Sequence, residues 1–133
     1  MKRFVDTNVF VYSITGHPQF GERAKHILKR IEEGEEAVTT TLVLCEVSWV
    51  LEAMGRQGDI KPTLEKILSF KSLEIVGFDT DDLLVGANNM QLYGVDFNDG
   101  LNIAVMTRIG VFEVYSNDRK HLGKIDLLKL IFE

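Results

Sequence analysis

Apolar positions along this chain switch between two spacings, and the switches predict alternating strands and helices. Residues 2–5, Lys-Arg-Phe-Val, read as a first strand ending on Asp6-Thr7-Asn8. Val9, Phe10 and Val11 restart an apolar pattern, which a loop at Thr15-Gly16-His17-Pro18 interrupts. Phe20, Ala24, Ile27, Leu28 and Ile31 recur at helical spacing and predict an amphipathic helix that stops near Gly34. Ala37 to Thr39 predict a second strand, and the threonines before Leu42 are N-cap candidates for the next helix. That helix, Leu42 to Met54, is the most apolar in the chain. Leu42, Val43, Leu44, Val47, Trp49, Val50 and Leu51 wrap nearly its whole circumference, so burial on most sides is expected.

Beyond the turn at Gly58-Asp59, Ile60, Leu64, Ile67 and Leu68 predict a helix with Pro62 in its first turn. Leu73 to Val76 predict a third strand. Asp79 suits an N-cap, and Leu83, Ala87 and Met90 carry a helix to Tyr93-Gly94. Phe97, Leu101, Ala104, Val105 and Ile109 predict another helix, with Asp99 at its opening and Gly110 just past its end. Val111 to Tyr115 form a strand closed by Ser116-Asn117-Asp118, and a last strand is expected within residues 124–132. Such alternation, with connections long enough for crossovers, predicts an α/β fold: a parallel sheet covered by helices on both faces. Right-handed crossovers bring the strands' carboxyl ends to one edge, where chemistry in open α/β sheets gathers.

A length of 133 residues with 45% hydrophobic content fits one domain over residues 1–133. No apolar run approaches a membrane span, and the start, MKRFVDTN, enters a strand pattern directly, so a soluble cytoplasmic protein is expected. The single cysteine, Cys45, excludes an internal disulfide and reads as a small core residue. A net charge of −5 argues against a protein that coats nucleic acid by charge alone, but not against a nuclease with an acidic metal pocket.

The carboxylates sharpen this picture. Glu46 interrupts the most apolar helix with no lysine or arginine one turn away, so it needs a metal or a donor from elsewhere in the fold. Asp6 and Asp118 end strands, and Asp99 opens a helix, so the three can meet at one sheet edge with Glu46 reaching in. Carboxylates a few ångströms apart cannot all stay ionised without cations. An oxygen-only set favours Mg²⁺ or Mn²⁺ over zinc, and metal-assisted attack of water on a phosphodiester is its natural use. Asp96 competes with Asp99 here: if Asp96 is the N-cap, capping alone accounts for both. Capping and the helix dipole likewise account for Asp79, Asp81 and Asp82.

Asp6-Thr7-Asn8 after a strand, the lone Glu46, the Asn98-Asp99-Gly100-Leu101 opening and the Ser116-Asn117-Asp118 close together resemble the PIN-domain ribonuclease family, over essentially the whole chain. The nearest branch resembles the small prokaryotic single-domain PIN proteins that include VapC-type toxins. The resemblance implies a three-layer α/β/α sandwich with a central parallel sheet and Mg²⁺- or Mn²⁺-dependent endonuclease cleavage of RNA. It further implies Asp6 and Asp99 as principal metal ligands, Glu46 and Asp118 completing the shell, and Thr7, Asn8 and Asn117 supporting it. Implied partners are an RNA substrate, a cognate antitoxin and a second copy of the chain. Gly100 departs from the family's usual alanine, and the pattern selects Asp99 rather than Asp96.

Arg119 and Lys120, directly after Asp118, are candidate substrate contacts, whereas His17 and Trp49 fit inert and core or interface roles better. Two other classes compete: a noncatalytic PIN-like module that binds RNA or protein, and a phosphoacceptor receiver-like domain. The second expects paired acids after the first strand and a lysine after a late one, where this chain has Asp6 alone and Ser-Asn-Asp.

Overall fold

The computed structural model describes residues 2–133. β1 (Arg3–Val5), β2 (Ala37–Thr40), β3 (Leu73–Val76), β4 (Glu113–Tyr115) and β5 (Lys129–Ile131) form one sheet in the order β3-β2-β1-β4-β5, parallel at every pairing. Six helices flank it in a three-layer α/β/α arrangement: α1 (Thr7–Thr15), α2 (Gly21–Glu32), α3 (Thr41–Ala53), α4 (Ile60–Leu68), α5 (Thr80–Tyr93) and α6 (Phe97–Ile109). A parallel sheet covered on both sides has apolar strands, and β1, β2 and β4 are almost wholly buried. Phe4, Val5, Val38, Val114 and Tyr115 pack there against Val9, Phe10, Val43, Val47, Ile103 and Met106 from the helices.

The strand order places a site by itself. From β1 the chain builds outward through β2 and β3, then returns to add β4 and β5 on the other side. β1 and β4 therefore flank the point where the winding direction reverses, and a crevice opens there beyond their carboxyl ends. Phe4 pairs with Val114 and Val5 with Tyr115, which sets Asp6 level with Ser116.

Three expectations need correction. The helix Thr41–Ala53 exists, but it buries only Leu42, Val43, Val47 and Leu51, while Trp49 is 52% exposed and Cys45 is exposed too. One stripe suffices to cover the sheet, so the opposite apolar stripe faces outward. Helix α5 turns the other way from its apolar pattern. Leu83 and Met90 are exposed, as is Ala87, and the buried face is Asp82, Gly86 and Asn89. These residues let α5 lie close against α6: a Cβ on Gly100 would meet the Gly86 carbonyl oxygen at 2.4 Å, and Asn89 Nδ2 donates to the Gly100 carbonyl at 2.9 Å. The glycine at position 100 is thus required by this crossing. The alternative left open at α6 is also settled: Asp96 is its N-cap, its Oδ1 accepting the N–H of Asp99 in the first turn at 2.8 Å, and the third correction is Cys45, which is exposed rather than a core residue.

Candidate active site

One groove of about 290 Å³ is lined by Asp6, Thr7, Asn8, Val11, Tyr12, Glu46, Val50, Asp96, Asp99, Asp118 and His121. The four carboxylates expected to converge, Asp6, Glu46, Asp99 and Asp118, all reach it, together with Asp96. Asp6 leaves β1 in extended conformation and caps α1, its Oδ1 accepting the Thr7 N–H at 2.8 Å. Its second oxygen accepts the Ser116 hydroxyl at 2.7 Å across the β1–β4 pair. Ser116 Oγ in turn accepts from Asn8 Nδ2 at 3.2 Å and from the Asp118 N–H at 3.1 Å, so one buried hydroxyl ties the two strand ends together. Asn117 contributes through its backbone, its N–H donating to Asn8 Oδ1 at 3.3 Å.

Glu46 is half-buried and finds donors from distant elements. The Thr7 hydroxyl donates to Oε1 at 3.1 Å and Asn102 Nδ2 donates to the same oxygen at 3.2 Å. Asn102 is held by Thr40, whose hydroxyl donates to Asn102 Oδ1 at 2.7 Å while accepting the Val43 N–H as N-cap of α3. A chain of bonds thus runs from α3's own cap, through α6, back to the glutamate one turn along. Asp118 is held by its turn: Oδ1 accepts the His121 N–H at 3.1 Å and lies 3.1 Å from His121 Nδ1.

Among the described residues, none of the four carboxylates is in an ion pair with lysine or arginine; Asp118 faces His121 alone. The electrostatics follow from that. Burial raises the Asp6 carboxyl pKa, against the hydrogen bonds from Ser116 and Thr7, and the charges of Asp118 and Asp96 raise it further. Burial and then the charge of Asp6 push Glu46 up, partly offset by Thr7, Asn102 and Asn98. Asp99 is pushed up to about 7, by burial first and then by Asp96, Asp6, Asp118 and Glu46. The positive N-terminal ends of α1 and α6 open on the groove and offset part of this repulsion.

The donor set suits a hard divalent cation. It is all oxygen and short of positive charge, and burial together with mutual repulsion raises the pKa values of Asp6, Glu46 and Asp99. Among the described residues no three of these groups are drawn into a tight coordination cluster; Asp6, Glu46 and Asp118 are each held by their own hydrogen-bond donors. Of the remaining expectations, Arg119 lines a neighbouring cavity, Lys120 is exposed beside it, and His17 sits apart, stacked on Phe20 with its Nδ1 accepting backbone N–H groups. Sequence reasoning gave no role to Ser116 or Asn102. Asn102 did leave a signal, since it is the one polar residue in the buried run Leu101–Met106 and so needs partners.

Comparisons bear on the fold. The chain resembles VapC20 of Mycobacterium tuberculosis, a sarcin–ricin loop cleaving toxin, with a TM-score of 0.78 and 17% identity over 92% of this chain and 94% of that one. It also resembles VapBC2 of Rickettsia felis, solved bound to a DNA fragment from its promoter, with a TM-score of 0.73 and 20% identity over 98% of each chain. A third similar structure is DNA-bound VapBC from Salmonella typhimurium, with a TM-score of 0.70 and 16% identity over 98% of each chain. No curated protein sequence matches. The PIN domain family profile matches residues 3–127, so this chain, with its five-stranded parallel sheet and its acidic groove at the switch point, belongs to the PIN-domain family.

Proposed function

We propose that this protein is a metal-dependent endoribonuclease that hydrolyses RNA phosphodiester bonds, and that it is the toxin of a toxin–antitoxin pair. The observation that carries the reading is the unneutralised quartet, Asp6, Glu46, Asp99 and Asp118, in one groove at the switch point. Asp6 and Asp99 are the principal ligands for Mg²⁺ or Mn²⁺, and Glu46 and Asp118 complete the shell directly or through water. When bound, such an ion supplies an activated water at neutral pH and charge stabilisation for the leaving oxygen. The chain's own residues do the positioning. Ser116 fixes Asp6 relative to Asp118, and Thr7 and Asn102 hold Glu46 in the groove, where it would orient the attacking water. The N-terminal ends of α1 and α6 favour the approach of a phosphate.

Membership of the family and likeness to toxin–antitoxin structures support a cognate antitoxin as partner. A second copy of the chain is a further proposed partner, supported by exposed Trp49, Leu84 and Leu92; only a 15.1 kDa species on sedimentation at micromolar concentration would count against it. No helix among the described residues is long and apolar enough to cross a membrane.

The test is a Mn²⁺ titration of wild type and Asp6→Asn while following cleavage of a mixed-sequence single-stranded RNA. Metal-dependent cutting that disappears in the variant supports the reading. Absence of both metal binding and cutting in the wild type would replace it with a noncatalytic PIN-like module that binds RNA or protein.

A further inference from the structure

The sheet's carboxyl edge does not end at the acidic groove. Two strands along from β1, a second cavity of about 350 Å³ lies at the ends of β4 and β5, lined by Ser116, Arg119, Gly123, Leu130 and Phe132. Adjacent strands are about 4.8 Å apart, so the cavity begins at Ser116, beside Asp6, and extends to about 10 Å from it along the edge. Two residues connect the sites. Ser116 walls the cavity and hydrogen-bonds to Asp6 and to the Asp118 N–H. Phe132 walls it as well and packs edge-on against Tyr12, at 6.1 Å between centroids, while Tyr12 lines the acidic groove.

The chemistry of this cavity is the reverse of its neighbour's. Arg3, Arg30, Arg56 and Arg108 each hold a carboxylate, but among the described residues Arg119, like Arg23 on α2, is in no ion pair and is exposed. Its position is built rather than incidental. The Leu122 and Gly123 N–H groups both donate to the Asp118 carbonyl at 3.1 Å, closing a tight turn around Arg119. A Cβ on Gly123 would meet the Arg119 carbonyl oxygen at 2.5 Å and its Cα at 2.8 Å, so glycine is what lets the turn close. The same turn fixes Asp118, so the backbone that carries Arg119 is tied to the edge of the acidic groove. A planar cation in a largely polar cavity that also presents part of Leu130 and the edge of Phe132 suits a phosphate joined to a flat, partly apolar base.

We infer that this cavity is a nucleotide subsite for single-stranded RNA: Arg119 holds the phosphate next to the scissile one, and the attached base lies against Leu130 and Phe132. The inference rests on the nuclease reading for its placement, but binding can be measured without cleavage. The experiment is fluorescence anisotropy of an end-labelled, mixed-sequence single-stranded RNA on the full chain in EDTA, across a salt series. Arg119→Ala is expected to weaken binding about tenfold and to reduce the salt slope by about one. Arg119→Lys keeps the slope and loses several-fold in affinity, because a point charge replaces the planar fork. Leu130→Phe, which fills the cavity without changing charge, weakens binding in a protein whose thermal melt is unchanged, whereas Lys71→Ala, exposed at the far edge of the sheet beside β3, changes it by about twofold at most.

Wild-type affinity in Arg119→Ala overturns the inference, and so does unchanged binding in a folded Leu130→Phe. The two readings separate cleanly. If Asp6→Asn abolishes cutting while Arg119→Ala binds normally, the nuclease stands and the subsite falls. If Arg119→Ala and Leu130→Phe lose binding while wild type cuts nothing with any metal, the subsite stands and the nuclease falls.

Discussion

Two regions of this molecule bury carboxylates, and they treat them in opposite ways. Asp82 on α5 is almost fully buried and is met by Arg108 from the end of α6 through two bonds, Nε at 3.1 Å and Nη2 at 2.8 Å. It also closes a capping box with Asp79. The Arg108 bonds hold its carboxyl below the usual range despite burial. In the groove at the other end of α6, Asp6, Glu46 and Asp99 are given hydroxyls, amides and helix ends but no lysine or arginine, and their pKa values rise. A structural carboxylate is neutralised by the protein itself. The groove carboxylates are not, and the folded chain bears their repulsion.

The comparison is most directly broken by removing charge from the groove. Asp99→Asn is expected to lower Mn²⁺ affinity, followed by calorimetry, by about 100-fold or more, since it removes a proposed principal ligand. The same substitution relieves repulsion, so the metal-free variant should be more stable than wild type by about 1 kcal/mol once solvent screening of this half-buried group is allowed for. A variant that loses metal binding and stability together would show that Asp99 is structural.

Asp82→Ala is the counterpart. It breaks a buried ion pair and one half of a capping box, and urea denaturation should show a loss of about 2 kcal/mol with metal affinity within about twofold of wild type. A smaller loss is expected from Gly100→Ala, about 1–2 kcal/mol, because the new methyl group must push the Gly86 carbonyl away and separate α5 from α6. The smallest effect is on pH dependence. Asp99 titrates from an unfolded value of 3.8 to about 7 in the fold, so the folded state holds its proton longer. Its contribution is fully present below 3.8 and is lost as pH rises toward about 7, for a decline of about 1 kcal/mol in metal-free protein. Asp82, with a lowered pKa, gives the opposite sign: stability present above 3.8 that is lost as pH falls below it. Urea midpoints of wild type, Asp99→Asn and Asp82→Ala against pH should separate the two slopes.

Much of the fold was legible in the chain. The strands at Leu73–Val76 and Ala37–Thr40, and helix Ile60–Leu68, lie where their apolar spacing and flanking turn residues put them. The start of β4 is two residues later than the run beginning at Val111 suggests, because the Val111 N–H is taken by the Met106 carbonyl at the end of α6 and Phe112 makes a single bond to β5, accepting from the Lys129 N–H. The last strand is confined to Lys129–Ile131, since residues before it form turns that carry Leu122, Ile125 and Leu128 into the core. The candidate carboxylates were legible for a different reason: a charge at a strand end, or alone in an apolar helix, violates the local pattern and demands a partner.

By itself, then, the sequence determined the order of strands and helices, the parallel sheet, and the acidic residues that its carboxyl edge would gather. Those follow from period, turn chemistry and the handedness of crossovers, which act locally or by general rule. Only the tertiary structure decided which helix faces are buried, that Asn102 holds Glu46 from 56 residues away, and that Arg108 reaches Asp82 across 26. Apolar spacing reports where greasy residues lie on one helix and is silent about which neighbour comes close. On α5 the closest approach is made through Gly86 and Asn89, which carry no hydrophobic signal, and the apolar stripe is left facing outward.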